Sequence, residues 1–182
     1  MKALLALSLT LFLTTPALAD DHDAQPASTE AEEVAPPVTS DITLPAHAEW
    51  KHSFDAYKSE AGKPNGAFAR ALGFHRLMEQ QGVAAERVKT AIVVHGPAVF
   101  DVVKDARYSE KYPGEDGEPL LNQNYNNVAE LIARGAEIWV CGVAAAYHGV
   151  GNADLLDGVK MAPSGTIAHA ELQRRGYTIN PY

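Results

Sequence analysis

From residue 47 to residue 182 the sequence predicts an α/β domain with a mostly parallel sheet. Short apolar runs alternate along this region with segments whose apolar residues recur at helical spacing. Such alternation is typical of parallel strands joined by helices that cover the sheet. Glycine and proline residues separate most of these segments, which predicts turns between them.

The first half of the domain contains two predicted strands and two predicted helices. Ala48–Phe54 alternates apolar and polar residues, as a first strand with one exposed face does. Ala67–Gln81 has apolar residues at helical spacing, and a glycine follows it as a stop signal. Lys89–His95 is the clearest buried strand, and a Gly-Pro pair ends it before a short predicted helix over Ala98–Lys104.

The second half continues the alternation. Tyr108–Pro119 holds two prolines and two glycines and predicts a surface loop, and Asn124–Arg134 has one apolar face and predicts a helix. Ala136–Val140 is rich in β-branched and aromatic residues and predicts a buried strand, with a helix beginning at Val143.

Two short strands and a helix complete the domain. Val159–Ala162 predicts a strand that Pro163 breaks, and Ser164 is a candidate cap for the helix that follows. Gly176–Ile179 predicts the last strand. The domain therefore has five predicted strands.

The N-terminal residues predict export. Lys2 precedes a short apolar stretch, and Ala17-Leu18-Ala19 has the small-x-small pattern of a signal peptidase site, so residues 1–19 are predicted to be a cleaved signal peptide. No segment approaches the roughly 18 uninterrupted apolar residues of a membrane helix, so membrane insertion is not expected. The expected location is a bacterial periplasm.

Residues 20–46 have the composition of a disordered acidic leader. This segment contains seven acidic residues and four prolines, but no lysine, arginine or aromatic residue. It has too little apolar surface to offset the entropy of ordering. Most of the formal charge of −8 lies here, and the domain from residue 47 onward has no basic run. Nucleic acid is therefore not an expected partner.

The single cysteine of the sequence, Cys141, is the leading site candidate. It follows a predicted strand and precedes a predicted helix, where free N–H groups favour a thiolate over a thiol. The alternative is a packed core cysteine, because free cysteine is among the most buried residue types. No internal disulfide is possible, so the fold depends on an ordinary core.

His95 is the second candidate. It also follows a predicted parallel strand, and the carboxyl ends of such strands share the sheet edge at which sites assemble. A histidine beside Cys141 could accept its proton and make the thiol nucleophilic. The alternative is a histidine satisfied by backbone hydrogen bonds at a strand end. His148, seven residues after Cys141, is expected to point elsewhere.

Several familiar chemistries have no support in the sequence. It has no Gly-x-x-x-x-Gly-Lys-Ser/Thr loop, Gly-x-Gly-x-x-Gly turn, Gly-x-Ser-x-Gly elbow or Cys-x-x-Cys pair. It also lacks the His-x-His and His-x-x-x-His pairs that would support copper or zinc. We therefore predict no cofactor and no metal ligands, and metal binding stays open as the weaker alternative.

Four segments together resemble the DsrE/DsrF-like proteins over roughly residues 66–180. The most specific are the Val-Val-His-Gly-Pro segment at 93–97 and the Val-Cys-Gly segment at 140–142, supported by Asn126–Leu131 and Gly176-Tyr177. The resemblance implies a three-layer α/β/α domain with a five-stranded parallel sheet, commonly assembled as homotrimers or homohexamers. It also implies that the cysteine carries sulfane sulfur as a persulfide. The export signal and acidic leader depart from the cytoplasmic relay proteins of this family, so relay to a cytoplasmic acceptor is in doubt.

The sequence thus predicts a periplasmic sulfur carrier that forms a persulfide on Cys141, with His95 orienting or deprotonating the thiol. Its expected partners are small sulfur species or a thiol-bearing acceptor protein. Two alternatives stay open: a non-catalytic module that binds a small ligand or metal at the same sheet edge, and an oligomeric protein without chemistry at Cys141.

Overall fold

A computed structural model of the chain describes residues 39–45 and 47–180. The predicted signal peptide lies outside the described residues, as does the predicted leader apart from residues 39–45. Those seven residues have no regular secondary structure. Among them, Leu44 is half-buried and packs against Met78, Val83 and Val88. Within the described residues no helix is both long and apolar enough to cross a membrane.

Five parallel strands form one sheet. The strands are β1 (Trp50–Ala56), β2 (Val88–Val94), β3 (Glu137–Cys141), β4 (Lys160–Ala162) and β5 (Thr178–Asn180). Their order across the sheet is β4-β3-β2-β1-β5, and every neighbouring pair is parallel. The mostly parallel five-stranded sheet is therefore confirmed.

Helices cover both faces of the sheet. The helices are α1 (Gly66–Gln80), α2 (Asp105–Lys111), α3 (Tyr125–Ala133), α4 (Gly142–Tyr147) and α5 (Gly165–Arg174). The main apolar cluster joins α1 and α3 to one face through residues such as Phe54, Ile92 and Ile138. A smaller cluster joins α5 to the other face through Val93, Ala168 and Leu172. These three layers confirm the predicted α/β/α architecture.

Alternation along the strands decides which side chains each layer meets. In β2, Ile92 and Val94 belong to the cluster beneath α1, whereas Ala91 and Val93 belong to the cluster beneath α5. Successive side chains of a strand point to opposite faces, so a continuous apolar run is needed where both faces are covered. The central strand β2 has that composition.

Three element predictions need correction. The first strand lies two residues later than predicted, at Trp50–Ala56. The segment predicted as a helix over Ala98–Lys104 is a 3-10 helix over Gly96–Val102. The loop predicted from Tyr108 onward begins inside helix α2, because Tyr108 is fully buried and its packing outweighs the nearby turn residues.

Candidate functional site

The ends of three neighbouring strands bring the site residues together. Val94 of β2 is the register partner of Val140 of β3. His95, which directly follows β2, and Cys141, the last residue of β3, therefore lie side by side at the edge of the sheet. Asp55 of β1 is the register partner of Val93, two residues before His95. Val93 packs beneath α5. By the alternation of strand side chains, these residues face the layer that contains α5.

Cys141 ends β3 and caps the N-terminus of α4. The backbone N–H of Ala144 is directed at its sulfur with an N–S distance of 3.5 Å. Cys141 is 8% exposed, and it belongs to none of the three apolar clusters of the core. It lies instead in the walls of two surface grooves. Cys141 is thus a buried residue at the edge of the sheet that borders both grooves, and its role as a site residue stays a prediction.

The turn after Cys141 requires glycine. A Cβ atom on Gly142 would lie 2.7 Å from the carbonyl oxygen of Ala162 in the neighbouring strand β4. That separation is shorter than real Cβ contacts, so any larger residue would push the turn away from β4. The need for glycine after Cys141 is therefore local: without a side chain at position 142, the turn lies close to β4 and keeps Cys141 at the edge of the sheet.

The first groove lies between the strand ends and the start of α5, with a volume of about 520 Å³. Gly165 forms part of its floor: a Cβ atom placed there would lie 3.5 Å from the Cβ of Cys141 and 3.7 Å from the Cβ of His95. The absence of a side chain at this position therefore leaves open space beside both residues. The groove is lined by Asp55, His95, Cys141, Val143, Ser164, Gly165, Thr166 and His169.

Asp55 links two histidines in this groove. The Nε2 atom of His95 lies 2.9 Å from Oδ1 of Asp55 and 3.0 Å from Oδ2. The Nε2 atom of His169, on α5, lies 2.9 Å from the same Oδ1 atom. Asp55 is 26% exposed, so its contacts to the histidines are partly screened from water.

The second groove also borders Cys141, and we call it the aromatic groove because two tyrosine and two histidine rings line it. Tyr57 packs across Gly96, where a Cβ atom would lie 2.5 Å from the tyrosine ring. The centroids of the Tyr57 and His95 rings are 5.2 Å apart. Tyr147 is 85% exposed at the rim. The groove is lined by Tyr57, His95, Gly96, Pro97, Cys141, Val143, Ala144, Tyr147 and His148.

His95 and Cys141 therefore line both grooves together. Within the described part of the chain the structure gives no hydrogen bond between them, and the Nε2 atom of His95 is bonded to Asp55. The proposed transfer of a proton from Cys141 to His95 stays a prediction. His148 also borders the aromatic groove, and its ring packs against Phe100 with a centroid distance of 5.2 Å.

Sequence reasoning missed Asp55 and His169. Asp55 lay one residue beyond the predicted end of β1, although a carboxylate at the carboxyl end of a strand is a recognisable signal. His169 lies among the apolar residues of α5 and gave no comparable signal. In the described ranges, 39–45 and 47–180, no group of three or more His, Cys, Asp or Glu side chains is arranged to hold a metal ion.

Comparison with known proteins identifies a family and a fold. The model of the family described as "DsrE/DsrF-like family" matches residues 54–181. No curated protein matches the chain significantly. A solved structure of a protein of unknown function from Methanobacterium thermoautotrophicum aligns with a TM-score of 0.50 at 18% identity, covering 72% of this chain and 97% of that one. The ychN protein from E. coli aligns with a TM-score of 0.42 at 16% identity, covering 72% and 99%. The resemblance predicted from the motifs is thus confirmed.

Proposed function

The chain belongs to the DsrE/DsrF-like family, and from this premise we propose that Cys141 carries sulfane sulfur as a persulfide. The observation that supports the proposal most strongly is the position of Cys141 between two open grooves at the carboxyl edge of the sheet. Each groove is therefore a candidate approach for a sulfur donor or acceptor.

The chemistry requires few groups. The thiolate of Cys141 attacks the sulfane sulfur of a persulfide donor, the donor's S–S bond breaks, and a Cys141–S–SH group forms. The donor leaves as a thiolate and takes up the proton that the cysteine lost. No net oxidation occurs, and no resolving cysteine is needed, which agrees with a sequence that has one cysteine. In the forward step His95 accepts the thiol proton, and the Ala144 N–H supports the sulfur anion.

The proposal extends to location and assembly on sequence grounds. We propose a periplasmic protein, on the evidence of the signal-like residues 1–19, and a homotrimer or homohexamer, on the evidence of the family. Its donor or acceptor would be a small sulfur species or a thiol-bearing protein. From the proposed location we infer that any such partner lies outside the cytoplasm.

Release of bound sulfur tests the carrier function. The mature protein is incubated with inorganic polysulfide, desalted and treated with cyanide, which removes sulfane sulfur as thiocyanate. We expect close to one equivalent of thiocyanate per chain from the wild-type protein and none from Cys141→Ser. His52→Gln is the matched control, because His52 bonds to Thr178 on β5 away from both grooves. Equal release from wild type and Cys141→Ser would place the sulfur elsewhere and reject the proposal.

A further inference from the structure

The arrangement around Asp55 specifies how the two histidines of the first groove differ. Both present Nε2 to the carboxylate, and both Nε2 atoms are 2.9 Å from the same Oδ1. An ionised carboxylate only accepts hydrogen bonds, so each Nε2 carries a hydrogen. The remaining nitrogen, Nδ1, therefore decides the protonation state of each ring.

The environment of Nδ1 distinguishes His169 from His95. Nδ1 of His169 is buried and has no hydrogen-bond partner among the described residues. A second N–H at this atom would be a buried donor without an acceptor, which is unfavourable. His169 is therefore placed to hold the Asp55 carboxylate through its Nε2–H.

His95 has the same tautomer but a different environment. Its Nε2 atom is bonded to both oxygens of Asp55, at 2.9 and 3.0 Å, and its side chain borders the grooves on either side of Cys141. Nδ1 is the nitrogen that Asp55 does not engage. A proton can move from a thiol to such a nitrogen directly or through one water molecule.

We propose that Asp55 is a positioning residue that fixes His95 as a base for Cys141, and that His169 holds Asp55 in place without exchanging a proton. This inference rests on the proposed function. In the loading step the Sγ–H bond of Cys141 breaks and its proton moves to Nδ1 of His95. The thiolate then attacks the donor's sulfane sulfur, and the departing thiolate receives the proton from His95.

The division of roles follows the logic of a nucleophile, a base and an orienting carboxylate. The carboxylate stabilises the imidazolium that forms when His95 is protonated, and it prevents the ring from turning Nε2 towards the thiol. His169 adds a second N–H donor to the carboxylate, which restrains the carboxylate further. Asp55 therefore acts on Cys141 through His95, and His169 acts through Asp55.

The rate at which Cys141 is alkylated tests whether Asp55 acts on it through His95, and this test does not require sulfur uptake. The second-order rate of Cys141 labelling by iodoacetamide at pH 7 is measured by intact mass for wild type, Asp55→Asn, His95→Ala and the double variant. We expect each single variant to be slower by about tenfold or more, since a positioned base contributes at least that much. We expect the double variant to match His95→Ala, because Asp55 has no base left to position.

Added imidazole gives an independent readout. It should restore much of the labelling rate of His95→Ala when Asp55 is present, and less when Asp55→Asn is also present. A residue that merely stabilises the fold would not show this dependence. His52→Gln, on the same strand as Asp55, should label at the wild-type rate, and thermal unfolding checks that every variant is folded.

His169→Gln provides a second route should Asp55→Asn fail to fold. It should slow labelling less than Asp55→Asn does, and its effect should vanish in the His95→Ala background. The inference is overturned if Asp55→Asn or His169→Gln slows labelling by the same factor with and without His95, or if neither slows it. If the variants label at the expected rates but the wild-type protein takes up no sulfur, the proposed function is rejected and the positioning roles of Asp55 and His169 are retained.

Discussion

Asp101 anchors the segment between β1 and α1 that borders the site. Its carboxylate is fully buried and accepts hydrogen bonds from Oγ of Ser59 and Nδ2 of Asn65, each at 2.7 Å. Asn65 in turn caps α1 by accepting the N–H of Ala67 at 2.9 Å. Tyr57, which packs against His95, lies at the beginning of this segment. A buried carboxylate thus supports one wall of the aromatic groove.

The first prediction concerns the pH dependence of stability. Burial raises the pKa of Asp101 from 3.8 to about 6, although the hydrogen bonds from Asn65 and Ser59 oppose the change. Between these values the folded state binds the proton more tightly than the unfolded chain does. The Asp101 contribution to the free energy of unfolding should therefore grow by about 2 kcal/mol as the pH falls from 7 to 4.

Urea unfolding of wild type and Asp101→Asn between pH 4 and pH 7 isolates this contribution. The asparagine keeps an oxygen for Asn65, and its amide can donate to Ser59. Burial lowers the pKa of His75 and so acts in the opposite direction, but this effect is common to both proteins and cancels. The wild-type protein should lose stability relative to Asp101→Asn as the pH rises through 6. A constant difference between them across this range would contradict the assignment.

Single residues were predictable where the local sequence marks them. His95 and Cys141 each follow an apolar run and precede a glycine, so their place at strand ends could be predicted. The proximity of Asp55 and His169 to His95 could not be predicted, because it depends on β1 pairing with β2 and on α5 crossing that face. Strand order is a property of the whole sheet, and no local pattern reports it.

At the scale of elements, the turn from β3 to α4 holds the sulfur at the sheet edge. Gly142 begins α4, and its Cα faces the carbonyl oxygen of Ala162 in β4. The neighbouring atom is backbone, which cannot move aside as a flexible side chain could. A side chain at position 142 would therefore displace the turn, and with it Cys141.

The second prediction is that Gly142→Ala destabilises the protein. A Cβ atom 2.7 Å from the Ala162 oxygen forces the backbone to shift, and overpacking of this kind costs about 1 to 3 kcal/mol. Gly73→Ala is the matched control, because a Cβ atom on this residue of α1 meets no atom of the described residues within 4 Å. It should stabilise the helix by up to about 1 kcal/mol. If Gly142→Ala proves more stable than Gly73→Ala in unfolding measurements, the β3–α4 turn can accommodate a side chain and the prediction is wrong.

Helices and strands were predicted best where the periodic pattern of apolar residues extends over many residues and a clear turn signal ends it. Helix α1, strand β2 and helix α3 agree with their predicted limits to within about one residue. Helix α2 was missed at Tyr108, whose hydroxyl accepts the N–H of Gly62 from a distant segment. Such tertiary contacts override local turn signals and cannot be seen in a short window of sequence.

At the scale of the whole molecule, the compact unit that contains the sheet spans Asp41–Tyr182. Alternation of strands and helices predicted its class correctly, because both faces of a parallel sheet must be covered. Assembly is a separate matter. We propose that assembly depends on this unit, because the unit contains the residues that match the family, and the resemblance to that family implies a trimer or hexamer.

The third prediction separates the domain from the acidic leader. Mild proteolysis of the mature protein should remove residues preceding the compact unit, because the prolines and acidic residues of 20–40 offer little to pack. The domain should resist cleavage and stay oligomeric when examined by sizing with light scattering. A trimmed domain that becomes monomeric would show that the leader drives assembly, and a monomer before and after trimming would remove the oligomer proposal.

The most direct test of the central claim is the intact mass of the mature protein after exposure to polysulfide. A persulfide on Cys141 predicts a gain of one sulfur atom per chain, reversed by a thiol reductant and absent in Cys141→Ser. The account is contradicted if polysulfide leaves the wild-type mass unchanged although iodoacetamide labels Cys141 readily, because the thiol would then be accessible but would not bind sulfur.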